Sequence, residues 1–146
     1  LVGLRSVYPD GPDALVILPE IFSKEPLAPA VLDGDTPWAQ AVNWAVIATI
    51  QAEEFGITSE NVDEMLNSED TNIVAFLGGE FEDADGNTTT FDPGLGLPTD
   101  YAYQVISQVG NYGEIFEENL APLGLQRGLN AQWYDGGLLY APPAYK

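Results

Sequence analysis

Four oxygen-bearing side chains stand close together in one acidic stretch of the chain. They are Glu82, Asp83, Asp85 and Asn87. Carboxylate and amide oxygens at short spacing are the ligands that Ca²⁺ takes, about six to eight at a time, in a flexible loop. The EF-hand pattern needs Gly in sixth place and Glu in twelfth, whereas Gly86 stands in fourth place when Asp83 is counted as the first. The stretch Glu80–Asp92 is therefore either a calcium site or an acidic surface loop, and no other cofactor is predicted.

Glu114 and Arg127 are a second candidate pair, near the end of the chain. Arg127 is one of only four basic residues, so we expect it to be half-buried and held by a carboxylate such as that of Glu114. The pair would then fix the C-terminal segment against the last long helix. A catalytic role would need a second carboxylate at glycosidase spacing, which the sequence does not provide.

The residue types that are missing limit the chemistry further. The chain contains no His and no Cys, which excludes imidazole and thiolate metal sites, His-dependent triads and disulfides. With no catalytic arrangement in view, the sequence predicts a protein that is not an enzyme; an acid-active hydrolase is the alternative, and only the abundance of carboxylates favours it.

The net charge is strongly negative. Four Lys and Arg stand against 23 Asp and Glu, which gives a formal charge of −19. Nucleic acid and anionic membrane surfaces are excluded as partners, because phosphate binding needs clustered basic residues. The acidity is spread along the chain and predicts self-repulsion that salt or multivalent cations relieve.

The length of 146 residues is sufficient for one domain with a core. No apolar run approaches the roughly 18 to 20 residues that span a bilayer, so membrane insertion is not predicted. The chain opens on Leu1 and shows no signal-peptide pattern. We interpret it as a processed or truncated product of a longer precursor.

The apolar patterns predict a helix-dominated α/β fold. A short β-branched run, Leu15–Leu18, predicts a buried strand that Pro19 ends, and residues 26–32 predict a second extended segment. Helices are predicted at about 37–55, 59–67, 69–77 and 100–120, with an acidic loop at 78–98. Thr36, Thr58 and Ser68 are the predicted N-caps. The first of these helices is apolar on most sides and should be central.

Three blocks of sequence then agree in their order. The first is the run from Ile17 to Val31, "ILPEIFSKEPLAPAV", followed by Gly34-Asp35 and Trp38. The second is "GNYGE" at residues 110–114, and the third is "RGLNAQW" at 127–133 with a closing Tyr-Pro-Pro tail. In these blocks the chain resembles the periplasmic amino-acid-binding proteins of ABC transporters, in the general L-amino-acid branch, and looks like their C-terminal part alone.

The resemblance implies a portion of the type II binding-protein fold, in which two lobes close on a ligand. It implies that residues 1–25 form the end of the second lobe and a hinge strand, and residues 26–146 the C-terminal part of the first lobe. Lys24 and Glu25 would then lie on the hinge side of the cleft, as ligand-side candidates or as a structural ion pair. No ligand-gripping motif of the family can be carried over onto a specific residue.

The function that the resemblance implies is capture of polar L-amino acids for an ABC permease, in the periplasm or outside the cell. The missing N-terminal half, or further copies of the chain, would be needed as partners. The alternative hypothesis is a structural subunit of an extracellular filament or sheath, since unpaired strand edges and exposed apolar surface favour self-association.

Overall fold

The computed structural model describes residues 2–16, 18, 20, 23 and 27–143. The chain forms two compact units, Leu1–Ala30 and Val31–Lys146. In the first unit, helix α1 (Val2–Ser6) precedes a 3-10 turn (Pro12–Ala14). The predicted boundary lay between residues 25 and 26, and the assignment of the two parts to two lobes remains a prediction.

The predicted buried strand Leu15–Leu18 is wrong for the residues that are described. Leu15 has extended backbone angles, but Val16 and Leu18 are exposed and lie in no strand. The segment 26–32 likewise contains no strand among its described residues. Strands become stable and buried by pairing with neighbours, and the described part of the chain offers these segments no such neighbours.

The second unit is built mainly of helices. They are α2 (Thr36–Glu54), α3 (Val62–Met65), α4 (Thr71–Phe76), α5 (Tyr101–Val109) and α6 (Tyr112–Asn119). Strands β1 (Glu80–Glu82) and β2 (Thr88–Thr90) pair antiparallel between α4 and α5. Short 3-10 turns follow α6 at Ala121–Leu123, Gly128–Asn130 and Trp133–Asp135. The predicted helix-dominated α/β class is confirmed.

Helix α2 lies within a residue of its predicted bounds, but its cap differs. The Oδ1 atom of Asp35, not Thr36, accepts the N–H of Trp38 at 3.2 Å. A carboxylate is a better cap than a hydroxyl here because its negative charge also interacts favourably with the positive end of the helix dipole. The helix ends as predicted, with Gly56 at φ +69°.

Helix α2, which is predicted to be central, is covered along one face by the described residues. Its fully buried residues are small and form one stripe, Ala41, Ala48, Thr49 and Ala52. Trp38 and Val46 are exposed. One face of α2 therefore packs into the core, while other apolar positions face outward.

The core lies where α2 meets the short helices and α5. Its buried cluster consists of Ala52, Ile57, Val62, Ile73, Leu77 and Ile106. Phe55 and Phe76 pack on it edge to face, with ring centroids 5.7 Å apart. This core fixes the end of α2, and so the position of the carboxylates in its last turn.

The two short helices begin later than predicted. Before α3, the Thr58 hydroxyl accepts the N–H of Asn61 at 3.2 Å, and the Asn61 side chain accepts the N–H of Thr58 at 2.7 Å. Thr58 thus caps this turn as expected, but the helix proper covers only Val62–Met65. Ahead of α4, Asp70 rather than Ser68 is the N-cap, accepting the N–H of Asn72 at 2.9 Å.

The predicted helix 100–120 is in fact two helices. Gly110 has φ +74° and ends α5. Asn111 then begins α6, since its side chain accepts the N–H of Glu114 at 2.9 Å and its own N–H donates to the Glu114 carboxylate at 2.8 Å. Continuing α5 through Gly110 would be unfavourable because glycine in a helix interior is destabilising. Starting a new helix is favourable because the capping box satisfies two backbone N–H groups.

The acidic loop 78–98 is not entirely irregular, because β1 and β2 form a hairpin within it. Phe81 pairs with Thr89 at its centre. Within the described residues, no helix combines the length and apolar character needed to cross a bilayer.

Candidate functional site

Two adjacent carboxylates in the last turn of α2 hold the C-terminal segment, which we define as residues 127–141. Glu53 forms an ion pair with Arg127, accepting one guanidinium N–H on each of its oxygens. Glu54 accepts the backbone N–H of Ala141 at 2.9 Å. Acidic groups at the C-terminal end of a helix interact unfavourably with its dipole. The guanidinium of Arg127 and the N–H of Ala141 compensate for this here.

Arg127 is held on several sides. Its guanidinium also donates to the Asn130 carbonyl, at 2.9 and 3.2 Å, and lies 5.4 Å from the ring centroid of Tyr112. The side chains of Arg127 and Glu53 are 20% and 15% exposed. The hydrogen bond to Glu53 raises the pKa of Arg127 above its ordinary value, so the guanidinium stays charged.

Gln132 completes this group, which we call the Glu53 cluster (Glu53, Arg127 and Gln132). It is fully buried, and its Nε2 donates to Glu53 Oε2 at 2.9 Å and to the Ile50 carbonyl at 3.3 Å. Both neighbours accept hydrogen bonds, which fixes the amide orientation and leaves Oε1 with no partner within the described structure. The cluster links one end of α2 to the C-terminal segment through charge-assisted bonds.

Backbone hydrogen bonds fold the C-terminal segment back on itself, and at one point the two stretches lie so close that only glycine fits. Gly137 donates its N–H to the Gln132 carbonyl, and Leu139 donates to the Ala131 carbonyl at 3.1 Å. A Cβ atom on Gly137 would stand 1.8 Å from the Ala131 carbonyl oxygen. No side chain fits there unless the backbone moves.

We therefore expect Gly137→Ala to destabilise the protein by about 1–3 kcal/mol, since the substitution forces the loop open and strains its backbone. Urea denaturation followed by circular dichroism measures this loss. Gly136→Ala is the matched control for a clash, because nothing lies within 4 Å of its Cβ position, although its φ of +84° carries a strain of its own. A Gly137→Ala protein no less stable than Gly136→Ala would contradict the close approach.

The predicted pair of Glu114 with Arg127 is wrong. Arg127 pairs with Glu53, and the Glu114 carboxylate instead accepts the N–H and hydroxyl of Ser59, the latter at 2.7 Å, besides capping α6. Burial raises the pKa of Glu114, but the hydrogen bonds from Asn111 and Ser59 outweigh it and hold the pKa below its usual value. The ion pair of Arg127 with Glu53 holds the C-terminal segment to α2, whereas Glu114 links α6 to Ser59.

Sequence reasoning missed Glu53, Gln132 and the capping role of Asn111. Two signals were available. Asn-x-x-Glu at 111–114 is a capping-box pattern, and Glu53-Glu54 just before Gly56 places carboxylates at the unfavourable end of a helix. The latter signal indicates that these carboxylates need partners, but it does not identify which basic residue provides one.

The remaining predicted site residues are not brought together. Lys24 and Glu25 lie outside the described residues. Asp83 uses its carboxylate to close the hairpin turn, accepting the N–H groups of Asn87 at 2.8 Å and Asp85 at 3.0 Å. These bonds, that from Asn87 first, lower the pKa of Asp83. Across the described ranges, no three or more Asp, Glu, His or Cys side chains converge as a metal site would require.

Two grooves lie on the surface of the second unit. A mostly apolar groove of about 250 Å³ lies between α2 and α4, lined among others by Trp44, Phe55, Phe76 and Tyr101. Burial there raises the pKa of the Tyr101 phenol. A wider groove of about 500 Å³ runs along residues 31–43 and offers the carboxylates of Asp33 and Asp35 beside Gln40 and Asn43.

The comparisons with known proteins agree with the predicted resemblance. No protein-family model matches the sequence. The chain is 54% identical over 135 residues to the general L-amino acid-binding periplasmic protein AapJ of Rhizobium johnstonii, covering 90% of this chain and 38% of that protein. It is 44% identical over 147 residues to the glutamate/glutamine/aspartate/asparagine-binding protein BztA of Rhodobacter capsulatus, covering 98% of this chain and 41% of BztA.

A solved structure matches the fold. An ABC transporter periplasmic binding protein from Brucella ovis, with glutathione bound, superposes with a TM-score of 0.85 at 46% identity, over 99% of this chain and 44% of that one. The partial type II binding-protein fold is therefore confirmed, whereas the alternative of a filament or sheath subunit finds no support. The chain spans about two fifths of the length of the curated relatives it matches, and it is similar to that share of the periplasmic amino-acid-binding proteins of ABC transporters.

Proposed function

We propose that this chain is part of the solute-binding component of an ABC importer that captures polar L-amino acids in the periplasm. The observation that carries the proposal is the high identity to AapJ along nearly the whole chain.

The chemistry of the ligand limits what the chain can do by itself. A free amino acid has a carboxylate, which calls for a cation such as Arg, and an ammonium group, which calls for oxygen acceptors. Acceptors are present, for example Asp33 in the groove along residues 31–43. However, no Lys or Arg occurs between Lys24 and Arg127, and Arg127 is already engaged by Glu53.

We therefore propose that the ligand is held jointly by this chain and a further part of the binding protein. Binding sites of this kind need groups that converge from more than one side of a cleft. The ABC permease would be the partner that receives the loaded protein.

A second ligand class follows from the structural neighbour, which has glutathione bound. The γ-glutamyl end of glutathione carries the same α-ammonium and α-carboxylate groups as a free amino acid. A site that grips these two groups would accept either ligand, and the space around the side chain would decide between them.

A chimera tests the proposal. Residues 1–146 replace the matching segment of AapJ, and calorimetry measures binding of L-glutamate, L-glutamine, their D-enantiomers and glutathione. We expect saturable binding of the L-amino acids by the chimera, no binding of the D-forms, and no measurable heat from the 146-residue chain alone. AapJ itself is the positive control.

Three outcomes would contradict the proposal. A chimera that folds, as judged by circular dichroism, but binds no L-amino acid would contradict the proposed capture of amino acids. Micromolar binding by the isolated 146-residue chain would show that no further part of the binding protein is needed to hold the ligand. Tight binding of glutathione without binding of any free amino acid would show that the ligand is the tripeptide and not an amino acid.

A further inference from the structure

Four Asp-Gly pairs occur in the chain, and one of them lies in a turn of a different kind from the others. The four aspartates are Asp10, Asp33, Asp85 and Asp135. An aspartate before glycine is open to attack by the glycine nitrogen, because glycine has no side chain to hinder a close approach. All four aspartates are exposed, so exposure does not distinguish them. The hydrogen bonding of the glycine N–H does.

In three of the pairs the glycine is the last residue of its turn, and its N–H closes that turn. The donors and acceptors are Gly11 to Tyr8 at 3.0 Å, Gly86 to Asp83 at 3.0 Å, and Gly136 to Trp133 at 3.2 Å. A nitrogen engaged in this way cannot turn toward the neighbouring carboxyl until its hydrogen bond opens. Each of these bonds lies within four consecutive residues, so this protection does not depend on any other part of the protein.

The Asp33-Gly34 pair lies in a turn in which the glycine stands one place earlier. Asp35 closes this turn, since its N–H donates to the Leu32 carbonyl at 3.2 Å. Gly34 is the third residue and has φ +85°, as the third position of a type II turn requires. The turn bond therefore uses the N–H of the fourth residue, and across the described residues the N–H of Gly34 has no hydrogen-bond partner.

We propose that Asp33-Gly34 is a site of spontaneous isoaspartate formation. The Gly34 nitrogen attacks the Cγ atom of the protonated Asp33 carboxyl. The N–Cγ bond forms, the Cγ–OH bond breaks, and the hydroxyl leaves with the amide proton as water, which gives a succinimide ring. Water then adds to the α-carbonyl of residue 33 and its bond to nitrogen breaks, so that the chain runs through Cβ and Cγ. The product has the mass of the starting protein, and the reaction needs no reagent besides water.

The modification would act on the start of α2. Isoaspartate adds one backbone carbon between Leu32 and Asp35, so the hydrogen bond that closes the turn cannot keep its geometry. Asp35 caps α2 by accepting the N–H of Trp38, and its carbonyl accepts the N–H of Ala39 at 2.9 Å. We expect the modified protein to lose helicity in the first turn of α2. The proposal does not depend on the function proposed above.

Ageing the 146-residue chain in mildly acidic buffer tests the proposal, because the reacting carboxyl must be protonated. Endoproteinase Asp-N cleaves before Asp but not before isoaspartate, so the loss of cleavage at each site, followed by mass spectrometry, measures its conversion. We expect Asp33 to convert about 2- to 10-fold faster than the other three aspartates. This is the factor that the opening of one intramolecular hydrogen bond imposes on them. In urea that unfolds the protein, the four rates should become similar.

Asp33→Glu is the matched control variant. Glutamate keeps the charge but would have to close a six-membered ring, which forms far more slowly. The substitution should abolish the isomerised form of the peptide that contains residue 33 and leave the conversion of the other three sites unchanged. Residue 33 is exposed, so the circular dichroism spectrum should match that of the parent.

Three results would overturn the proposal. Conversion of Asp33 no faster than that of Asp10, Asp85 and Asp135 in the folded chain would show that the N–H of Gly34 does not control the reaction. The same differences in rate in urea would show that neighbouring residues in the sequence, and not the turns, determine the order. An isomerised peptide that persists in Asp33→Glu would place the modification at another residue.

Discussion

Replacing Arg127 by Met should lower the free energy of unfolding by about 3 kcal/mol. Removing one member of a buried ion pair typically costs about 3–5 kcal/mol because the other charge is left without its partner, and we take the lower end because both side chains keep some exposure. Met retains much of the apolar contact with Tyr112 and Phe116. The loss therefore reports mainly on the charge, and urea denaturation of the variant measures it.

A double-mutant cycle with Glu53→Gln measures the interaction energy between Glu53 and Arg127 apart from their contacts with other residues. The double variant should be less destabilised than the sum of the two single variants, because each single variant leaves one charge without its partner whereas the double variant leaves none. Arg5→Met is the matched control, since Arg5 meets the exposed Asp13 at 3.7 Å in a surface pair. Pairs of that kind contribute about 0–1 kcal/mol. An Arg127→Met protein as stable as Arg5→Met would show that the cluster does not hold the C-terminal segment.

Salt should stabilise this protein strongly. At a charge of −19 with four basic residues, few carboxylates have a basic partner, and repulsion acts over a Debye length of about 30 Å at 0.01 M salt but about 3 Å at 1 M. We expect the melting temperature to rise by roughly 10 °C between these concentrations, as relief of about 3 kcal/mol would produce in a domain of this size. A flat or falling curve from calorimetry would mean that the acidic groups are already compensated.

Divalent cations extend the same experiment to the acidic hairpin. Ca²⁺ and Mg²⁺ at equal ionic strength should act alike if Glu80–Asp92 is simply an acidic surface. A larger effect of Ca²⁺ that disappears in Asp83→Asn would identify a calcium site instead. Asp35→Asn, which alters a carboxylate distant in sequence, controls for the loss of one charge.

Much of the helical architecture was predictable from the sequence because it depends on local interactions. The bounds of α2 follow from Pro37 at its start and Gly56 at its end, and the short helices follow from polar caps ahead of apolar residues. The resemblance to amino-acid-binding proteins was also predictable, since it rests on motifs that are contiguous in the chain. The break between α5 and α6 is local too, and its signal, the capping box of Asn111 and Glu114, stood in the sequence.

Tertiary structure alone decided which charges meet. Glu53 and Arg127 are 74 residues apart, and Gln132 lies 79 residues from Glu53, so no spacing rule joins them. The sequence offered Glu114 as an equally acceptable partner for Arg127. Only the packing of α6 against α2 brings Glu53 beside the guanidinium, while the capping box and Ser59 take up Glu114. An ion pair is determined by distance in space, and that distance is set by the way the helices pack.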